Sequence, residues 1–198
     1  LLENILDASH VPFTHHRSLS NRANATPLDL ELTQSDRSGF AGVWPEGPRR
    51  GTLGSQFTTY VAPALIWHDL QSEKVGRTVT AVYATPIEPG RCRLFARFPF
   101  KFPETAKLPR FFLKNTPRWY SHFGQHTILE DDQIFLHHQE RFLANVTNAA
   151  YGQACYLPTK ADLYIVEFRA WLDHFGEPFP GRAPVSYTHL TLPTNREV

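Results

Sequence analysis

Methionine is absent from the 198 residues, and cysteine occurs only twice, at Cys92 and Cys155. Two thiols cannot by themselves build a cysteine-rich metal site or a disulfide framework. A surplus of either charge is missing as well: 20 Lys and Arg stand against 19 Asp and Glu, a formal net charge of +1. Electrostatics of the whole chain therefore give no reason to expect nucleic acid or an acidic membrane surface as a partner. Apolar runs are short and broken by His, Arg or Pro, far below the roughly 20 residues that a bilayer-spanning helix needs. What is present, 41% hydrophobic and 13% aromatic residues, suffices for the core of one globular domain. With no methionine, Leu1 does not read as a translation start, and Leu1-Leu2-Glu3-Asn4 reads as the interior of an element, so sequence upstream is expected. Ser186 to Val198 continues no helical or strand period and is expected to be a non-native tail; residues 1–180 make the domain.

Along the chain, residues 1–9 read as a helix, and the polar stretch 17–38 as a long irregular connection. From about 40 to 100 the residues become β-branched and aromatic. Runs at 39–44, 52–67, 77–84 and 92–98 are separated by turns such as Glu46-Gly47-Pro48 and Glu88-Pro89-Gly90, the pattern of an antiparallel meander. In the last run Arg91, Arg93, Phe95 and Arg97 share one face. After Pro103 the strand signals stop. Apolar residues recur at helical spacing over 128–144, and a second helix over 161–175 is closed by Gly176 and Pro178. Strands followed by helices argue for an α+β fold, an antiparallel sheet packed around helices. The sequons at Asn24 and Asn145 are read as chance.

The chemistry concentrates in Glu3-Asn4-Ile5-Leu6-Asp7-Ala8-Ser9-His10-Val11-Pro12-Phe13-Thr14-His15-His16. On one regular helix His10 and His15, five residues apart, would point about 140° away from each other. A helix ending near His10, with Pro12 supplying the break, would let both imidazoles meet one ion. Two imidazoles and a carboxylate leave three positions open on octahedral Fe(II). The candidate carboxylate lies in the run 129–140. Near a helix start Asp132 can face inward beside Phe135 and Leu136 while Asp131 faces solvent. The same pair of aspartates could equally cap that helix and complement its dipole.

The motif E-N-x-x-D-x-x-H-x-P-x-x-H resembles the catalytic-domain signature of Rieske non-haem iron oxygenases, and Asp132 stands seven residues before Gln139 as the family's ligand aspartate stands before a Gln. Pro117-Arg118-Trp119-Tyr120, the run Leu129 to Gln139, and Cys155 to Asp162 are similar to the pheophorbide a oxygenase branch. The resemblance implies a helix-grip, START-like catalytic domain with mononuclear Fe(II) on His10, His15 and Asp132. It implies that Asp7 links His10 to a Rieske histidine of a neighbouring subunit in a homo-oligomer, and that Asn4 lies near the iron. For Asp7 there is a separate physical argument, since a carboxylate accepting an imidazole N–H orients the ring and raises its basicity. His16, His137 and His138 are given no role.

A Rieske 2Fe–2S cluster needs Cys-x-His followed by Cys-x-x-His, and neither pattern occurs in these residues. The cluster is therefore expected in a domain upstream of Leu1, and this chain alone is expected to lack a reductant. The reading is an oxygenase acting with O2 on a flat apolar macrocycle derived from chlorophyll, such as pheophorbide a, with electrons from a ferredoxin or reductase. Phe57, Tyr60, Trp67, Phe95, Phe98 and Trp119 are candidates for the pocket walls, core packing being the alternative for each. Such a protein would be cytoplasmic or thylakoid-associated in a cyanobacterium-like source, and chloroplastic in a plant. Two rival readings use the same residues: a metal-free carrier of hydrophobic ligands, and a zinc hydrolase with a water as fourth ligand.

Overall fold

The computed structural model describes residues 1–72, 76–88, 90–146 and 151–176. The expected tail at 186–198, Pro178 as a helix stop, Pro89 of the second turn and Thr147 of the second sequon lie outside the described residues.

The strand-rich half is a meander. β1 (Glu31–Asp36), β2 (Gly39–Trp44), β3 (Gln56–Val61), β4 (Leu65–Ser72), β5 (Gly76–Glu88) and β6 (Arg91–Arg97) each pair antiparallel with the next in chain order, and the short β7 (Phe100–Lys101) pairs with β5. The run 52–67 divides into β3 and β4 at a turn containing Pro63. The connection expected to be irregular over 17–38 ends in β1. Every residue of β1 is exposed, so no alternation of apolar and polar side chains marks it; its backbone pairing with β2 makes it a strand.

Among the described residues six α-helices accompany the sheet: α1 (Leu2–Leu6), α2 (Val11–Thr14), α3 (Lys107–Asn115), α4 (Arg118–Asn145), α5 (Tyr151–Ala154) and α6 (Leu163–Phe175). The core forms where α6 lies on the inner face of the sheet. Its Tyr164, Ile165, Phe168 and Trp171, one stripe at helical spacing, pack with Phe40, Trp44, Tyr60 and Ile66. The Tyr60 ring meets Phe168 and Trp171 edge-on, with centroids 5.1 and 5.2 Å away, a favoured aromatic geometry. Trp171 Nε1 donates to the carbonyl of Asp36 at 2.9 Å. Gly42 permits this approach: a Cβ there would sit 2.4 Å from Tyr164 Cε1. The helix held by the sheet is thus α6, whereas in the 28-residue α4 only Asp132 is buried.

Five of the six expected pocket walls do not share one place, while Phe98 is half-buried just after β6. Tyr60 belongs to the core. Register places Phe57 opposite Asp69, Trp67 opposite Thr59, and Phe95 opposite Tyr83, which puts Phe57, Trp67 and Phe95 on the outer face of the sheet. Trp119 stands exposed on α4.

α1 is fixed from several sides. Leu6 is fully buried in the core, and His68 Nε2 of β4 donates to the Ile5 carbonyl at 3.0 Å. Glu3 pairs with Arg169 of α6 and accepts from the Tyr151 hydroxyl at 2.8 Å. The Arg169 guanidinium lies over the Tyr151 ring, 3.7 Å from its centre, a cation–π contact.

Candidate metal centre

The break between the two histidines comes earlier than Pro12. α1 stops at Leu6, Asp7 is extended, and α2 starts at Val11 with Pro12 in its first turn. That position tolerates proline because a first-turn N–H has no helical acceptor. His10 and His15 flank α2 as its N-cap and C-cap residues. One short turn of helix therefore separates them, and their Nε2 atoms approach to 3.3 Å.

Asp132 comes from the middle of α4, which begins ten residues before the expected start at 128, with Pro117 as its N-cap. A cap role for Asp131 and Asp132 is thereby removed. Phe135 does not face inward with Asp132 but is exposed, and Leu136 is only partly buried. Asp132 Oδ1 lies 3.5 Å from His10 Nε2 and 3.4 Å from His15 Nε2. The three atoms make a nearly equilateral triangle whose corners stand about 2 Å from its centre, the usual length of a metal–nitrogen or metal–oxygen bond. Among the described residues no other group of three His, Cys, Asp or Glu ligand atoms converges in this way. His15 and Asp132 are both buried.

The hydrogen bonds around the triangle decide its chemistry. His10 Nδ1 bonds the main-chain carbonyl of Asp7, and a carbonyl can only accept. The proton therefore sits on Nδ1, and Nε2 of the neutral ring offers a lone pair. His15 Nδ1 faces Asp131 Oδ2 at 3.4 Å, which sets the same tautomer. Two lone pairs and a carboxylate oxygen thus point at one spot with no donor among them, an arrangement that calls for a cation.

Asp131 is partly exposed, as expected of a solvent-facing side chain, but it also takes part in contacts to the segment after α2. Its Oδ2 accepts from the Ser18 hydroxyl at 2.6 Å, and this bond, with His15 nearby, holds its carboxyl below the usual range despite an opposing desolvation effect. Asn4 Nδ2 donates to Asp132 Oδ1 at 3.3 Å. The Asp7 carboxylate is turned to Ser9, accepting from its N–H at 2.7 Å and from its hydroxyl. Asp7 Oδ2 is 3.8 Å from His10 Nδ1, so it is the carbonyl of Asp7, not its carboxylate, that orients the ring.

Sequence reasoning missed three residues here: Asp131 as a partner of His15, Ser18 behind it, and His68 beneath α1. His68 alternates with Ile66 on the inner face of β4, the one signal that could have found it. It accepts from the Thr58 hydroxyl at 2.9 Å and the Gln56 amide at 3.0 Å, and donates to Ile5. Burial pushes its pKa down to about 4, against the hydrogen bond to Ile5, which favours the charged form. His16, whose Nδ1 accepts from the Arg22 N–H at 3.3 Å, and the exposed His137 and His138 lie outside the triangle.

Comparison with known proteins bears on the same segments. The family model described as pheophorbide a oxygenase matches residues 60–149. The chloroplastic pheophorbide a oxygenase of Oryza sativa subsp. japonica is 28% identical over an alignment covering 91% of this chain and 36% of that protein. Its counterpart from Arabidopsis thaliana is 30% identical over 91% of this chain and 35% of that protein. The chloroplastic protochlorophyllide-dependent translocon component 52 of Arabidopsis thaliana is 29% identical over 89% and 38%. The chain spans about a third of the length of these curated relatives.

Proposed function

Because this chain belongs with the pheophorbide a oxygenase-like proteins, we propose that it carries the oxygen-activating iron of a Rieske-type non-haem oxygenase acting on a chlorophyll-derived macrocycle such as pheophorbide a. The observation that supports this most is the triangle of His10 Nε2, His15 Nε2 and Asp132 Oδ1 with sides of 3.3 to 3.5 Å. His10, His15 and Asp132 would hold Fe(II), which would supply the redox chemistry of O2 activation.

The chain's own residues hold and orient. His10 and His15 present lone pairs because the Asp7 carbonyl and Asp131 take the opposite ring protons. Asn4 restrains the ligating oxygen of Asp132, and Ser18 restrains Asp131. The Asp7 carboxylate, beside His10 and partly exposed, is the group through which electrons would arrive from a 2Fe–2S centre on a neighbouring subunit of a homo-oligomer. A ferredoxin or reductase would feed that centre. The relatives named above are chloroplast proteins, and the same compartment is proposed for this chain.

Anaerobic loading with Fe(II) should give stoichiometric iron and a high-spin EPR signal on adding nitric oxide. His10→Ala and Asp132→Ala should each abolish it. A signal retained in both variants overturns the ligand assignment, and preferential zinc uptake with turnover that needs no O2 would favour hydrolysis instead.

A further inference from the structure

Outside the metal centre the most unusual feature is α3. All nine of its residues are exposed, including Leu108, Phe111, Phe112 and Leu113 at 50–69%. At 100° per residue Lys107, Arg110 and Lys114 form one stripe, and the four apolar side chains cover most of the rest of the circumference. The apolar surface continues onto the first turns of α4 through Trp119, Tyr120 and Phe123, each more than 60% exposed. The Trp119 ring meets Tyr120 and Phe123 edge-on.

Charge separates this region from the rest of the molecule. Residues 105–129 contain Lys107, Arg110, Lys114 and Arg118 and no Asp or Glu. Since the whole chain carries only +1, the remainder is net negative. Trp119 lies thirteen residues before Asp132 along α4, about 20 Å at the helical rise, so this face is separate from the metal centre. No described helix is long and apolar enough to cross a bilayer.

We propose that α3 and the start of α4 form an interfacial docking surface for an anionic lipid bilayer. The apolar side chains of α3 enter the boundary between headgroups and acyl chains, with the basic stripe level with the lipid phosphates. Trp119 and Tyr120 are suited to the headgroup layer, since each ring is apolar with one polar edge. The positive charge selects a lipid surface of opposite sign. This proposal stands independently of the iron assignment.

Sedimentation of the full chain with phosphatidylcholine vesicles, with and without phosphatidylglycerol, tests it. Binding is expected to the phosphatidylglycerol vesicles, to fall with salt, and to shift the Trp119 fluorescence to the blue, a shift missing in Trp119→Phe. Lys107→Gln, Arg110→Gln and Lys114→Gln together should weaken partitioning about a hundredfold, and Phe111→Ser with Phe112→Ser should also weaken it. An unchanged circular-dichroism spectrum and urea midpoint report that the variants are folded. The proposal is overturned by absence of binding, by variants that bind like the parent, or by a concentration-dependent blue shift of Trp119 without vesicles, which would put a second copy of the chain on this face.

Discussion

At the scale of single residues, the centre depends as much on the far side of each imidazole as on the metal side. The Asp7 carbonyl is set by the backbone and survives any substitution of the Asp7 side chain. Asp131, by contrast, acts on His15 only through its own carboxylate, held by Ser18. Asp131→Ala should therefore weaken Fe(II) binding about 10- to 100-fold, the usual effect of losing a partner of a metal-bound histidine, while Asp7→Ala should change it less. Competition titration with a chelator reads both; equal losses would overturn the distinction. His68 yields a prediction about pH. Burial lowers its folded value to about 4 while the unfolded chain keeps the ordinary 6.5. As pH falls the unfolded state binds its proton first, so stability is whole above about 6.5, declines through that window and levels off below about 4. The loss amounts to about 3 kcal/mol, and urea unfolding of the parent against His68→Gln across this range should show a slope that the variant lacks.

At the scale of elements, legibility followed how far each element's pattern came from its own burial. The meander could be read because Glu46-Gly47-Pro48 and the β-branched runs mark turns and strands locally, and α6 because Tyr164, Ile165, Phe168 and Trp171 all face one core. β1 could not, since its strand character lies in pairing with β2. α4 was read ten residues short because its first turns bury nothing that would mark a face. At the site, His10, His15 and Asp132 were legible from motif and spacing. The contacts of Asp131 were missed because they depend on His15 and Ser18, at and beyond the end of α2, reaching α4, a long-range meeting that helical spacing does not encode. The α6–sheet contact should dominate stability. Phe168→Ala is expected to cost about 3–5 kcal/mol as a buried aromatic truncation. Gly42→Ala, whose Cβ would lie 2.6 Å from the Glu31 carbonyl oxygen as well as against Tyr164, should destabilise without removing any contact. Denaturant midpoints check both, and a Gly42→Ala protein as stable as its parent would mean that α6 can retreat from the sheet.

At the scale of the whole molecule, His10, His15 and Asp132 join parts of the chain that few other contacts join. α4 buries only Asp132, and its hydrogen bonds to the N-terminal segment run through Asn4 to Asp132, Ser18 and His15 to Asp131, and Gln139 to Glu3 at 3.4 Å. The first of these spans 128 residues of sequence. A cation on His10, His15 and Asp132 is then a cross-link between α2, which is anchored to the sheet through α1, and a helix otherwise held by a few polar contacts. Without it, two imidazole lone pairs and a carboxylate oxygen whose one donor is the Asn4 amide face one another, which favours separation. Fe(II) at a hundred times its dissociation constant should raise unfolding free energy by about 2.7 kcal/mol. Its local signature is more telling: amide exchange should slow around Asp132 and in the segment from Asp7 to His15, with little change in β2 and β3, whose protection reflects the core. A chelator should reverse the effect, and Asp132→Asn should largely lose it. Protection that rose evenly through the sheet and α4 would mean that α4 is already docked without metal, and that the ion acts only by mass action on the folded state.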